Sequence, residues 1–284
     1  MDRAALPKIY GVLGYPVKHS FSPAMHNAAL RTLKINAEYK LFEIPPVELD
    51  SFLQSLDEKN IYGLNITVPY KEKVFGFVSI PQDYSYLKEI GAINTIVKKG
   101  SSWLGFNTDI LGFEKHLREN FEPAGKRCAI LGAGGACRAV AYVLAKSKAR
   151  EIAIFDIDNN KAVNISNMIR NIFPEFKIMV TNNVAGLEIK EKDLLVNATP
   201  VGLKESDPSL VSPEMLRKDL FVYDLIYNPA ETKLLSLAKQ TGAKTSNGLG
   251  MLLYQGAASF ELWMAKKAPV EIMRKALQEG MEKL

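Results

Sequence analysis

A glycine-rich turn between an apolar strand and an apolar helix is the tightest constraint in this 284-residue sequence. It lies in RCAILGAGGACRAVAYVLA, which begins at Arg127. The run to Leu131 reads as a buried strand, and the residues after Ala136 read as a helix. Between them stand Gly132, Ala133, Gly134, Gly135 and Ala136. Gly132 permits the sharp turn, and Gly134 lets the backbone approach a pyrophosphate. The helix N-terminus offers free N–H groups and the positive end of its dipole. Cys137 takes the third small position, where glycine is commoner. In this strand–turn–helix context the pattern predicts a dinucleotide site.

The next strand, EIAIFD, ends at Asp156. This fold places an acid there, about 20 residues past the glycines, to bind the ribose 2′-hydroxyl of NAD. A carboxylate at that point repels the 2′-phosphate of NADP, and the following IDNNKA holds no arginine to bind one. NAD is therefore the expected cofactor, with NADP as the alternative. Asp156 and Asp158 also suit the cap of the next helix.

Strand-like runs alternate with helical patterns on both sides of the turn, in two blocks. KIYGVLG, AEYKLFEI and GLNITV read as strands of the first. SPAMHNAALRTL reads as a helix between them, with Ser22 as N-cap and Pro23 at its first position. AINTIVKK and SSWLGF suit a hairpin around Lys99, Gly100 and Ser101. RCAIL, EIAIF, DLLVNA and LFVYDLI are the short apolar runs of a sheet buried on both faces. FEPAGK, with Pro123 and Gly125, reads as a joint. The alternation predicts two α/β domains. Their expected limits are residues 1–109 with 248–284, and residues 110–247, the final helices returning to the first domain.

Composition narrows the function classes. The net charge of +5 is spread among interspersed acids and bases. No basic stripe interleaved with aromatics marks a nucleic-acid face. The N-terminal MDRAALPKIYGVLGYPV lacks the pattern of a signal peptide, and no apolar run is long enough for a bilayer. Cys128 and Cys137 lie in apolar segments, as reduced thiols of a cytoplasmic protein do. Neither stands at metal-ligand spacing from His19, His26 or His116, so no metal is expected.

The stretch GLNITVPYKEKVFGF sets small polar side chains, Asn65 and Thr67, and then Lys71 around a strand end broken by Pro69. Most lysines are solvated surface. The other reading is a pocket rim with Lys71 pointing inward.

GYPVKHSFSPAMHNAAL, NITVPYKE, GAINTI, GFNTDILGF, LGAGGACRA, NATPVG, YDLIYNP and NGLGMLLYQGAASFELW run in the order found in shikimate dehydrogenases and their quinate-using relatives, which the chain resembles over nearly its whole length. The resemblance implies a substrate domain followed by a Rossmann domain. It implies reversible hydride transfer converting 3-dehydroshikimate to shikimate, with a small-molecule substrate and a monomer or homodimer as the assembly. It matches Lys71 to the catalytic lysine and Asp109 to its partner. Ser20 and Ser22 match the hydroxyls on the substrate carboxylate, which Tyr227 approaches. Thr67, Asn94 and Gln255 match residues on the ring hydroxyls, with Asn65 near the pocket. Thr199, Leu225 and Gly248 match positions beside the cofactor. A lysine suits this chemistry because the carbonyl oxygen becomes an alkoxide as hydride arrives.

The sequence departs from the family pattern in three places. Phe106 replaces a frequent acid before NTD, and Ile110 a frequent glycine after it. FDIDNNKA stands where the biosynthetic enzymes carry an Asn-Arg-Thr phosphate clamp. NAD use in the family often accompanies quinate breakdown, so quinate is the alternative substrate, although Ser22 is threonine in some quinate-preferring members. A dinucleotide sensor without catalysis is the reading from another class; it gives no reason to keep both Lys71 and Asp109.

Overall fold

The computed structural model describes residues 6–282. Its first unit takes in residues up to Leu111 and from Leu253 onward, and its second Gly112–Leu252.

The first unit opens with β1 (Lys8–Gly14), α1 (Ser22–Thr32), β2 (Ala37–Glu43), the short α2 (Leu49–Gln54) and β3 (Ile61–Ile66). A one-turn helix, α3 (Leu87–Ile90), then precedes the antiparallel strands β4 (Thr95–Lys99) and β5 (Ser102–Phe106). The sheet order is β2-β1-β3-β4-β5, with β1, β2 and β3 parallel. The hairpin pairs Lys99 with Ser102, and Gly100 takes the left-handed backbone (φ 62°) that the turn requires. β3 is more deeply buried than its alternating sequence suggests, because it lies mid-sheet.

Two helices run through the division between the units: α4 (Thr108–Arg118) and, much later in the chain, a 16-residue helix over Leu249–Met264. Phe121–Lys126 is consequently a turn of the second unit and no joint. Phe121 stacks on Phe221 with ring centroids 5.4 Å apart.

The second unit is a single parallel sheet. Its elements are β6 (Arg127–Leu131), α5 (Gly135–Lys146), β7 (Glu151–Phe155), α6 (Asn159–Ile172), β8 (Ile178–Val180), β9 (Leu194–Asn197), β10 (Phe221–Asp224), α7 (Lys233–Gln240) and β11 (Lys244–Ser246). The order β11-β10-β9-β6-β7-β8 reverses between β6 and β9. Ligands of doubly wound sheets bind at the carboxyl ends of the strands, where the order reverses. Ala129, Leu195 and Val222 from the strands meet Leu234 and Leu235 of α7 in one buried cluster. At the start of β7, Glu151 holds Lys192 at 2.9 Å and Lys177 at 2.7 Å, and Lys192 is almost fully buried.

The chain ends in α8 (Leu249–Met264) and α9 (Val270–Met281). From Leu253 both belong to the first unit, as expected, and α9 packs on α1. Trp263 of α8 donates its indole N–H to the Ile96 carbonyl at 3.0 Å. Its ring lies over Gly63, where no side chain would fit. No helix of the described residues is long and apolar enough to cross a membrane.

Candidate active site

In the first unit the polar residues converge at the end of β3 and the start of α4. The Lys71 ammonium lies 2.6 Å from Asp109 Oδ2. Both side chains are mostly buried, at 14% and 7% exposure. The other oxygen, Asp109 Oδ1, accepts Asn94 Nδ2–H at 2.8 Å. Asn94 Oδ1 in turn accepts the backbone N–H of Thr108 at 2.6 Å. That bond satisfies one of the free donors of the α4 N-terminus, from outside the helix. Asn94 thereby ties the strand entry to the first turn of α4 and fixes Asp109.

Asn65 is buried and engaged on both sides. Its Oδ1 accepts the Tyr39 hydroxyl at 2.8 Å, and its Nδ2 donates to Ser259 Oγ at 2.8 Å and Thr95 Oγ1 at 3.1 Å. Gln255 is buried on α8, one turn before Ser259, whose hydroxyl donates to the Gln255 carbonyl at 2.9 Å. Thr67 follows β3; its N–H donates to Leu13 at the end of β1 at 2.9 Å.

Ser20 and Ser22 lie past β1. Ser22 is the first residue of α1, and it is Ser20 Oγ that accepts the Ser22 N–H, at 3.3 Å. The expected cap at Ser22 is not formed: Phe21 is the N-cap and no side chain caps from it, while Ser20, the residue before it, takes the Ser22 N–H. No hydrogen bond of the described residues joins either serine to the Lys71–Asp109 pair. Phe106, also a departure from the family pattern, is buried with its ring against Tyr84.

In the second unit the glycine loop follows β6. Gly132 has φ 93°, and a Cβ there would stand 2.8 Å from Thr199 Cγ2 and 2.9 Å from the Ala198 carbonyl carbon. Glycine is required on both counts, and Thr199 is brought to the loop at the point where the sheet order reverses. Gly134 differs: a Cβ would meet no protein atom within 4 Å. Gly135 and Ala136 open α5, whose first N–H groups border that open cradle. Cys137 is buried beneath it, and burial pushes its thiol pKa up. Loop, cradle and helix end together fit a pyrophosphate.

Asp156 sits at the end of β7. Its carboxylate accepts the Ala133 N–H at 2.6 Å and the Asp158 N–H at 2.8 Å. These bonds orient it beside the loop, while Asp158 caps α6 through the Asn160 N–H. Ile157, between them, is 96% exposed. Leu225 and Gly248 are brought together: a Cβ on Gly248 would overlap the Leu225 carbonyl. Tyr227 follows Leu225, and burial raises its phenol pKa.

Several participants are absent from the residues expected at the site. Thr95, Thr108 and Ser259 form the support of Asn94; the threonines stand in GAINTI and GFNTDILGF beside residues already singled out. Asp224, fully buried, receives Asn197 Nδ2–H at 3.0 Å, the Ile226 N–H at 3.0 Å and the Thr232 hydroxyl at 2.7 Å. Desolvation raises its pKa. Asn197 also accepts the Thr199 hydroxyl at 2.7 Å, so this network shapes the turn facing Gly132.

Comparison with known proteins gives the same picture. Residues 12–96 match the shikimate dehydrogenase substrate binding domain, and residues 248–278 the shikimate 5′-dehydrogenase C-terminal domain. The shikimate dehydrogenase (NADP(+)) of Methanopyrus kandleri is 42% identical over 96% of each chain. The crystal structure of shikimate dehydrogenase from Aquifex aeolicus superposes with a TM-score of 0.88 at 37% identity, covering 97% of this chain and 99% of that one. Shikimate 5-dehydrogenase from Listeria monocytogenes, solved in complex with shikimate and NAD, gives 0.85 at 33%, covering 98% and 99%. With this fold, a glycine cradle at the reversal of the sheet and a buried lysine–carboxylate pair, the chain belongs to the shikimate dehydrogenase family, oxidoreductases that act on a CH–OH group.

Proposed function

We propose that this protein catalyses the reversible reduction of 3-dehydroshikimate to shikimate, with NAD preferred over NADP. The observation that carries the reading is the Lys71–Asp109 pair, 2.6 Å apart and locked from behind by Asn94.

The residues to hold the cofactor are Gly132, Ala133, Gly134, Gly135 and Ala136 for the pyrophosphate, Asp156 for the ribose hydroxyls, and Thr199, Leu225 and Gly248 beside the nicotinamide. Bound there, the nicotinamide supplies or accepts the hydride. Everything else falls to side chains. As the substrate carbonyl carbon gains an electron pair, its oxygen gains charge, and Lys71 Nζ–H is the donor that meets it. In the reverse direction Lys71 takes the hydroxyl proton. Asp109 holds the ammonium in place and offers its carboxylate to the neighbouring ring hydroxyl. Ser20, Ser22 and Tyr227 are assigned to the substrate carboxylate. Asn65, Thr67, Asn94 and Gln255 are assigned to the polar wall. A pocket built to pair hydroxyls rejects analogues that lack them, because its buried groups are then left unpaired.

The cofactor preference rests on Asp156. Its carboxylate is fixed by two backbone N–H donors, and the exposed side chain after it is Ile157, not a base. The M. kandleri relative is named for NADP(+), whereas the L. monocytogenes structure holds NAD. The buried free thiols Cys128 and Cys137 support a reducing compartment.

The test is a nicotinamide absorbance assay of the purified protein with shikimate or quinate and with NAD or NADP. Shikimate-dependent reduction of NAD is expected. Absence of turnover with shikimate and either cofactor overturns the activity. Faster turnover of quinate than of shikimate reassigns the substrate, and a strong NADP preference overturns the role of Asp156 alone.

A further inference from the structure

Three hydroxyls meet in the interior of the first unit. Thr95 Oγ1 lies 3.0 Å from Thr108 Oγ1 and 2.9 Å from Ser259 Oγ, and Thr108 lies 3.0 Å from Ser259. Thr95 belongs to β4, Thr108 to the first turn of α4 and Ser259 to α8. Ser259 is 164 positions from Thr95 and 151 from Thr108. All three are at most 1% exposed.

The directions of the bonds around this triangle are constrained. The Thr108 backbone N–H can only donate, so the Asn94 amide turns its oxygen toward it and its nitrogen toward Asp109. The Asn94 carbonyl, 3.5 Å from Asn65, can only accept, which turns Asn65 Nδ2 inward and its Oδ1 to Tyr39. Both amide dipoles therefore point the same way. The three hydroxyl protons have two outside acceptors, Asn94 Oδ1 and the Gln255 carbonyl, and Asn65 Nδ2 feeds donors into the triangle from the far side. One threonine donates to Asn94, Ser259 donates to Gln255, and the remaining threonine donates to a neighbouring hydroxyl. Each of the three hydroxyls thus has both a donor and an acceptor partner within the protein. The donors run in one sense, from Tyr39 through Asn65 and the threonine hydroxyls to Asn94, and end on the carboxylate that Lys71 pairs, while Ser259 branches off to Gln255.

We propose that Thr95 and Thr108 are positioning residues for the reaction: with Asn65 and Asn94 they form a one-way line of buried donors, from Tyr39 to Asp109, that fixes the carboxylate and through it the Lys71 ammonium, while Ser259 buttresses the line from α8. Aligned donors in a low-dielectric interior polarise one another, and each strengthens the next. The head of such a line favours a negative charge, here the partner of the catalytic cation. A hydroxyl cluster that served only to join β4, α4 and α8 has no need of this common direction. The proposal rests on the catalytic reading of Lys71 and Asp109 given above.

The experiment compares Thr95→Val, which keeps the shape and loses the hydroxyl, with Thr95→Ser, which keeps the hydroxyl. Thermal melting, kcat and the KM for shikimate and for the dinucleotide are measured for both, at a temperature below either melting point. The expected result is a kcat about tenfold lower in Thr95→Val, equivalent to 1.4 kcal/mol in the transition state. KM for the dinucleotide stays unchanged, and Thr95→Ser restores most of kcat. Combining Thr95→Val with Lys71→Ala should then give no further loss, because the line has no ammonium left to place. Wild-type kcat in Thr95→Val, an equal loss in Thr95→Ser, or full additivity with Lys71→Ala each overturns the proposal. If Thr95→Val does not fold, Thr108→Val against Thr108→Ser carries the same comparison. If the parent protein turns shikimate over and Lys71→Ala does not, while Thr95→Val is normal, the line alone is disproved. If Lys71→Ala is itself active, the catalytic reading fails first.

Discussion

Lys71 and Asp109 are 38 residues apart in sequence and 2.6 Å apart in space, and only one carboxylate oxygen is used in their contact. The second oxygen belongs to Asn94. The carboxylate is therefore gripped from two directions and cannot follow the lysine if the lysine moves. For Lys71→Ala we expect kcat to fall by at least about 100-fold, the lower end for a positioned proton donor. KM for shikimate should change little, since the lost interaction is made chiefly in the transition state. Steady-state kinetics decide it; a near-normal kcat removes Lys71 from the mechanism.

Asp156, the residue we assign to the cofactor's ribose, also holds the glycine loop through the Ala133 N–H. Asp156→Ala should raise KM for NAD and bring the NAD to NADP ratio of kcat/KM down by about tenfold, the value of a single good charge-assisted contact. An unchanged ratio shows that discrimination lies elsewhere.

Gly132 and Gly134 are two glycines with opposite dependencies. At Gly132 the left-handed backbone and the nearby Ala198 and Thr199 both exclude a side chain. Gly132→Ala should destabilise the protein without cofactor, by about 1–3 kcal/mol. Gly134 has φ −83° and open space around it, so Gly134→Ala should melt like the parent yet bind the dinucleotide poorly. Melting curves with and without NAD separate the two. Equal losses of stability in both variants contradict the assignment of the cradle.

Glu151 and its two lysines set an acid limit to stability. The bonds from Lys177 and Lys192 hold the Glu151 carboxyl down to about 2. A depressed acid stabilises the folded state above its unfolded pKa, near 4.5, and that contribution disappears as pH falls toward about 2. Its size is about 3 kcal/mol. Glu151→Gln should lower stability at neutral pH by about 3–5 kcal/mol, because Lys192 is left buried beside a neutral partner. Denaturant unfolding at neutral pH measures it, and a loss below about 1 kcal/mol shows that Lys192 finds water.

His26 acts at milder pH. Its ring is stacked on Tyr39 with centroids 4.3 Å apart, and neither nitrogen has a hydrogen-bond partner. Burial lowers its pKa to about 3. The unfolded chain therefore takes up this proton first, so stability falls as pH drops below about 6.5 and goes on falling until about 3. His26→Phe should flatten the stability curve between about pH 6.5 and 4.5 by up to about 1.4 kcal/mol per pH unit. Unfolding curves across that range test it, and an unchanged slope places the acid sensitivity elsewhere.

The legible parts of the sequence were those in which the chemistry is local. The glycine turn, the strand end at Asp156 and the cap at Asp158 each declare themselves within a few residues, because one turn of backbone decides them. Lys71 and Asp109 do not: each alone looks like a surface charge, and it was the order of motifs that paired them. Ser259 was beyond reach. It lies 194 residues from Asn65 in an apolar helix, where a serine reads as a spacer. Asn197 and Asp224 sat in segments already noted, but their partnership across neighbouring strands has no trace in spacing. Ser22 shows the limit at one residue: expected as the N-cap, it is the first residue of the helix, with Phe21 as the N-cap, because the backbone enters the helix one residue sooner.

The depth of the polar line behind Asp109 has a consequence for hydrogen traffic. From Tyr39 to Asn94 its members are 5% exposed or less, whereas the Lys71 side chain keeps 14% of its surface open. The interior end is a cul-de-sac. On the proposed role of Lys71, the end of the line nearest solvent is the ammonium, the one member with open surface beyond a tenth.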